Sequence, residues 1–187
     1  MKINFRYSMP YDEMLSIMQD NDFSHSQSLV AKEYIGKVEA FWEKEGKKII
    51  REIERVTKLK FKKEVDCYIV SEMFFEAISH PFTVKMCNNI DRLRGIMVHE
   101  LIHILFVQNE NKVLKVLNCL SGDHNYKVHF PVLLCERKVL ENLHGSFKAE
   151  KRVEDLDYIW RDVDKVYTMF KKDNKGVINF LNKNVIN

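Results

Sequence analysis

The stretch from Ile96 to Val107 is an almost unbroken apolar run with a histidine, a glutamate and a second histidine inside it, Val98-His99-Glu100-Leu101-Ile102-His103. Polar groups placed where hydrocarbon is otherwise required cost about 2–7 kcal/mol each when buried without partners. A chain that folds this run into its interior must give all three side chains something to bind. In a helix, residues four apart lie on one face, a turn apart. His99 and His103 then present two imidazole nitrogens to one point, and a bound cation satisfies both together. Glu100 lies about 100° round the helix from His99, offset from the pair and within reach of a water beside the cation. Leu101 and Ile102 are uncharged, and the flanks Ile96, Met97, Ile104 and Leu105 are apolar. A surface helix with accidental histidines would carry charges there. The plainer alternative is two core histidines hydrogen-bonded to backbone or water, with Glu100 at an edge.

The rest of the composition narrows the class. With 187 residues, one domain spanning 1–187 is expected. The chain is 45% hydrophobic and 11% aromatic, enough for a core. It has no apolar run of the ~18 residues that a spanning helix needs, so no membrane partner is expected. The start, Met1-Lys2-Ile3-Asn4-Phe5-Arg6, lacks the continuous apolar segment of a secretion signal. Net charge is only +3, with acids and bases mixed throughout, which does not argue for nucleic acid. Cys67, Cys87, Cys119 and Cys135 are widely spaced without a C-x-x-C pair. They read as reduced thiols of a cytoplasmic protein, with a thiolate metal site as the lesser alternative.

Periodicity predicts the elements. Residues 2–8 alternate, with Ile3, Phe5 and Tyr7 against Lys2, Asn4 and Arg6, and read as a strand. Pro10 opens a short helix through Gln19. Ser24 or Ser26 caps a long helix reaching about Lys58, with a stripe of Leu29, Val30, Tyr34, Val38, Phe41, Trp42, Ile49, Ile53 and Val56. Residues 61–70 and 79–86 are further strands. Pro81 cannot donate to a ladder, so the latter belongs at a sheet edge. Asn88, Asn89 or Asp91 caps the helix carrying the two histidines, which ends near Val107. Gly95, four residues before His99, either admits another backbone or is a tolerated helix glycine. Asn111–Leu120 is helical, His124–Phe130 is loop or short strand, and Pro131 begins a helix that Gly145 ends. From Val153 onward the pattern is helical, with Ile159, Trp160, Val163, Val166, Tyr167 and Phe170 as one stripe and a break at Gly176. The fold class is α+β, mostly helical with a small three-stranded mixed sheet. Residues 146–187 form a helical extension packed on the domain, either enlarging the core or covering a cleft.

Two histidines need a third protein ligand. Six residues after His103 stands Asn109, and Phe106 stands where the metzincin pattern has glycine, so that pattern fails. In the helix after Pro131 the apolar stripe is Val132, Val139, Leu140 and Leu143. Glu136 falls in its middle and Glu141 on the opposite side, beside Arg137 and Lys138. A carboxylate on a buried face needs a cation. Zinc supplies one, and Arg92 is the alternative. His129 and then His124, in a loop that can fold over the site, are the other candidates for third ligand.

Two histidines in H-E-x-x-H with a glutamate on a separate downstream helix resemble the gluzincin metallopeptidases, and among them the small minigluzincins. The resemblance covers roughly residues 26–145. It implies a zincin-like fold: a long N-terminal helix, a small sheet with an edge strand, the H-E-x-x-H active-site helix, then the glutamate helix. It implies one zinc ion per chain held by His99, His103 and Glu136, and a zinc endopeptidase acting on peptide or unfolded protein. Water activated by the metal would attack the peptide bond, with Glu100 as general base. An oxyanion donor is expected from His124, Tyr126 or His129. The edge strand near residues 79–86 would take an extended peptide antiparallel by strand addition. Many gluzincins carry an acidic residue four positions after the ligand glutamate, where this chain has Leu140. The alternative functions are a catalytically silent metal-binding, regulatory or protein-binding module, and a metal hydrolase acting on a non-peptide substrate.

Overall fold

A computed structural model describes residues 1–145 and 156–186. They comprise seven helices and a four-stranded mixed sheet. The chain divides into two compact units, Met1–Lys47 with Lys62–Glu100, and Lys48–Phe61 with Leu101–Asn187. The helices include α2 (His25–Thr57) and α3 (Ile90–Gln108).

The first unit holds the sheet. Its strands are β1 (Ile3–Arg6), β2 (Val65–Val70), β3 (Ala77–Ser79) and β4 (Phe82–Lys85), in the order β1-β2-β4-β3. β1 and β4 flank β2 in parallel, and β3 runs antiparallel to β4. The sheet therefore has four strands where three were expected, because residues 79–86 are not one strand. Pro81 has no amide hydrogen for a ladder. It falls in the turn between Ser79 and Phe82, and the Thr83 hydroxyl donates to its carbonyl at 3.0 Å. Most of the segment read as an edge is thereby interior, as β4, and the sheet's edge strands are β1 and β3.

Helix α1 (Met9–Ile17) carries Pro10 in its first turn, as the sequence predicts. Its buried Asp12 accepts from the Ser71 amide at 2.8 Å and the Ser71 hydroxyl at 2.9 Å, pinning the helix to the end of β2. Ser24 precedes α2, and its amide donates to the Gln27 side chain at 2.6 Å, half of a capping box. Leu29 and Val30 were expected in the buried stripe, yet they are 67% and 54% exposed. The stripe advances by threes and fours through Ser28, Ala31, Tyr34, Val38 and Phe41, and that phase turns Leu29 and Val30 outward. Gly46 admits the Trp42 indole, which would sit 2.5 Å from a Cβ there.

The second unit is helical. It contains α4 (Glu110–Cys119), α5 (His124–His144), α6 (Asp157–Lys172) and α7 (Val177–Asn184). His124–Phe130 is not loop or strand as expected, and Pro131 does not begin the helix but lies inside it. The start is set by Asp123, whose side chain accepts the Tyr126 amide at 2.7 Å. Gly145 ends α5 in the left-handed conformation, φ 76°. Along α6, Ile159, Val163, Tyr167 and Phe170 are buried, while Trp160 and Val166 are half-buried at the flanks of the stripe. Lys138 of α5 donates to the carbonyls of Phe170 at 2.9 Å and Asp173 at 2.6 Å, and the Arg137 guanidinium stacks 3.9 Å over the Tyr167 ring. The expected helical start at Val153 lies outside the described residues. Among the described residues no helix is long and apolar enough to cross a membrane.

Candidate metal centre

Helix α3 carries His99 and His103. Asn89 caps it, its side-chain oxygen accepting from the amides of Asp91 at 2.8 Å and Arg92 at 3.1 Å. Of the three expected caps, Asn89 is the one used. Arg94 grips Glu45 of α2 with two hydrogen bonds of 2.7 and 2.8 Å, which sets the helix's rotation. Met97, Val98, Leu101, Ile102 and Leu105 are fully buried. That phase leaves His99 and His103 half-buried on the adjoining face. A Cβ at Gly95 would meet nothing within 4 Å, so this glycine is simply tolerated.

One ligand atom from each of His99, His103 and His129 lies within 4.8 Å of the other two. The His103 and His129 rings meet edge to face, with centroids 5.0 Å apart. His129 Nδ1 donates to the Asn125 carbonyl at 3.0 Å. A carbonyl only accepts, so Nδ1 carries the proton and Nε2 keeps its lone pair. A metal-ligating histidine is oriented in this way. The three imidazoles can hold a metal ion.

The other expected site residues are placed as follows. Glu100 is 8% exposed on α3. Its charge reaches Cys67 of β2, whose thiol is pushed up by burial first and by Glu100 second. Glu136 is 4% exposed on α5, two turns beyond His129, and lies outside the set of mutually close ligand atoms. Arg92, the alternative cation for it, pairs with Glu76. Glu141 lies on the far side of α5 with Arg137 and with Lys171, the latter at 2.8 Å. His124 is exposed in the first turn of α5, and His129 is helical, so neither lies in a loop over the site. The Tyr126 hydroxyl donates to Asp162 at 3.2 Å. Leu140 is half-buried. The four cysteines are free thiols.

The position of His129 was the reading that sequence patterns served least well. The signal that locates it is Ser121-Gly122-Asp123: a turn, then a capping aspartate three residues before Tyr126. Compared with known proteins, the chain matches no family model, no curated protein and no solved structure.

Proposed function

We propose that the chain is a zincin-like, zinc-dependent endopeptidase with the metal held by His99, His103 and His129 and with Glu100 as general base. The clustering of three imidazoles around the H-E-x-x-H turn carries this reading. An all-nitrogen donor set suits zinc and its neighbours in the first transition row, whereas magnesium and calcium prefer oxygen. When bound, zinc supplies Lewis acidity and lowers the pKa of water toward ~7. Glu100 belongs to the same helical turn but not to the ligand set. In this reading it accepts the proton of the attacking water and returns it to the leaving amine. Its burial keeps that exchange away from bulk solvent.

The substrate is a peptide or unfolded protein in extended form. The open edge of β3 supports this, since its outward amides and carbonyls can accept a further strand. Beside it, Phe74 and Phe75 are 75% and 65% exposed and offer apolar contact. Free thiols suit a cytoplasmic setting.

Native mass spectrometry and an unfolded-protein cleavage assay test the reading together. One zinc per chain is expected. Glu100→Gln should keep the metal and lower cleavage by about 100-fold or more. A chain that ignores added zinc refutes the centre. Cleavage that survives in Glu100→Gln refutes the role of that residue, and no cleavage by zinc-loaded protein turns the reading toward a metal-binding module.

A further inference from the structure

His129 hangs from the part of α5 that precedes Pro131. Proline has no amide hydrogen, so the helical bond to the Lys127 carbonyl is missing, and a proline ring inside a helix costs about 3 kcal/mol. The first turns of α5 are thus tied to the rest of the helix more loosely than their length suggests. A ring stack within these turns and contacts from α6 replace the lost tie. The Tyr126 ring stacks on Phe130, with centroids 5.2 Å apart and planes 9° apart. Its hydroxyl donates to the Asp162 carboxylate of α6 at 3.2 Å. The Asn125 side-chain amide donates to the Tyr158 hydroxyl at 3.4 Å, and the Tyr158 ring lies 6.3 Å from that of Tyr126. Beneath, Gly122 has φ +111°, and a Cβ there would sit 2.9 Å from the Tyr126 ring. These contacts converge on the turn whose Asn125 carbonyl takes the His129 Nδ1 proton at 3.0 Å.

We propose that Tyr126 and Asp162 form a clamp that positions His129 for metal binding, so that α6 braces the metal centre. This rests on the reading that His129 donates to the metal. Displacing Tyr126 moves the first turn of α5, with it the Asn125 carbonyl, and with that the imidazole. Tyr126 and Asp162 are positioning residues, because they act on the ion only through Asn125 and His129. Burial and then the Asp162 charge push the Tyr126 hydroxyl up to about 12, so it remains a proton donor across the working range.

Zinc affinity of the full chain, measured by competition with a chelating dye, tests the clamp. Tyr126→Phe and Asp162→Ala should each weaken zinc binding by about 10-fold, the effect of losing a partner that orients a ligating histidine. Asp162→Asn keeps an acceptor oxygen and should stay within about 2-fold of the parent. The double variant should lose no more than either single one, since both remove one interaction. In a His129→Ala background, Tyr126→Phe should have no further effect. A merely structural role would weaken binding equally in that background, and such a result overturns the clamp. Unchanged affinity in Tyr126→Phe and Asp162→Ala, with His129→Ala still impaired, overturns it as well. A parent chain that binds no zinc overturns the metal reading itself, and the clamp with it.

Discussion

His129 and Glu136 compete for one role, and the spacing between them makes the choice testable. They lie seven residues apart on α5, about 10 Å along the axis at 1.5 Å per residue. An ion placed for His99 and His103 is therefore served naturally by one of the two and only by strained reach from the other. The close approach of His103 and His129 favours the histidine. His129→Ala should weaken zinc binding about 10-fold or more, on the order of 1.4 kcal/mol, whereas Glu136→Gln should leave it nearly unchanged. The opposite order, read from the same titrations, would restore the His-His-Glu set that the gluzincin resemblance implies. At this scale the sequence was legible where geometry is local. His99, Glu100 and His103 share a helical turn, so spacing alone juxtaposes them. The third donor comes from another helix, and no periodicity along one segment reveals which side chain arrives there.

Punctuation residues decided which elements could be read in advance. Pro10, Asn89 and Gly145 do what their chemistry predicts, because each acts on its immediate neighbours. Pro131 and Pro81 misled for one shared reason: a proline restricts its own amide without saying which side of it the element occupies. Pro131 is tolerated within α5 because Asp123 has already nucleated the helix, and Phe130, Val132, Leu133 and Leu134 bury its flanks. Pro81 makes a turn where an edge strand was expected, which splits one strand into two. The weight placed on Asp123 can be measured. Asp123→Ala should lower stability by about 1 kcal/mol, as loss of a helix N-cap does, and Asp123→Ser should recover most of it. Urea midpoints of the three chains give the comparison. An alanine variant as stable as its parent would mean that the clamp around Tyr126, rather than the cap, holds the start of α5.

Part of the molecule's response to acid follows from two carboxylates of the helical unit, Glu52 and Glu141. Burial pushes Glu52 up, but hydrogen bonds from Arg55 and Asn142 outweigh it and hold the carboxyl below its ordinary value of 4.5. Glu141 behaves alike: burial opposes, while Lys171 and Tyr167 hydrogen bonds and the charges of Lys171 and Arg137 bring it down. A carboxylate whose pKa is lower in the folded chain than in the unfolded one binds fewer protons when folded. Its stabilisation is present above the unfolded value and disappears as pH falls through the folded one. Lys138, held below its usual range chiefly by burial, adds no slope here, because it is protonated in both states at acidic pH. The contribution of these two glutamates should therefore be fully present at neutral pH and decline as pH falls below about 4.5. Glu52→Gln and Glu141→Gln should each lower stability at pH 7 and make the decline below pH ~4.5 shallower, since the group that gains a proton on unfolding is gone. Denaturant midpoints at pH 7, 4.5 and 3 distinguish the cases. Parallel curves for parent and variants would place the acid sensitivity in other carboxylates, and a variant that lost stability only at acidic pH would contradict the sign derived for these two glutamates.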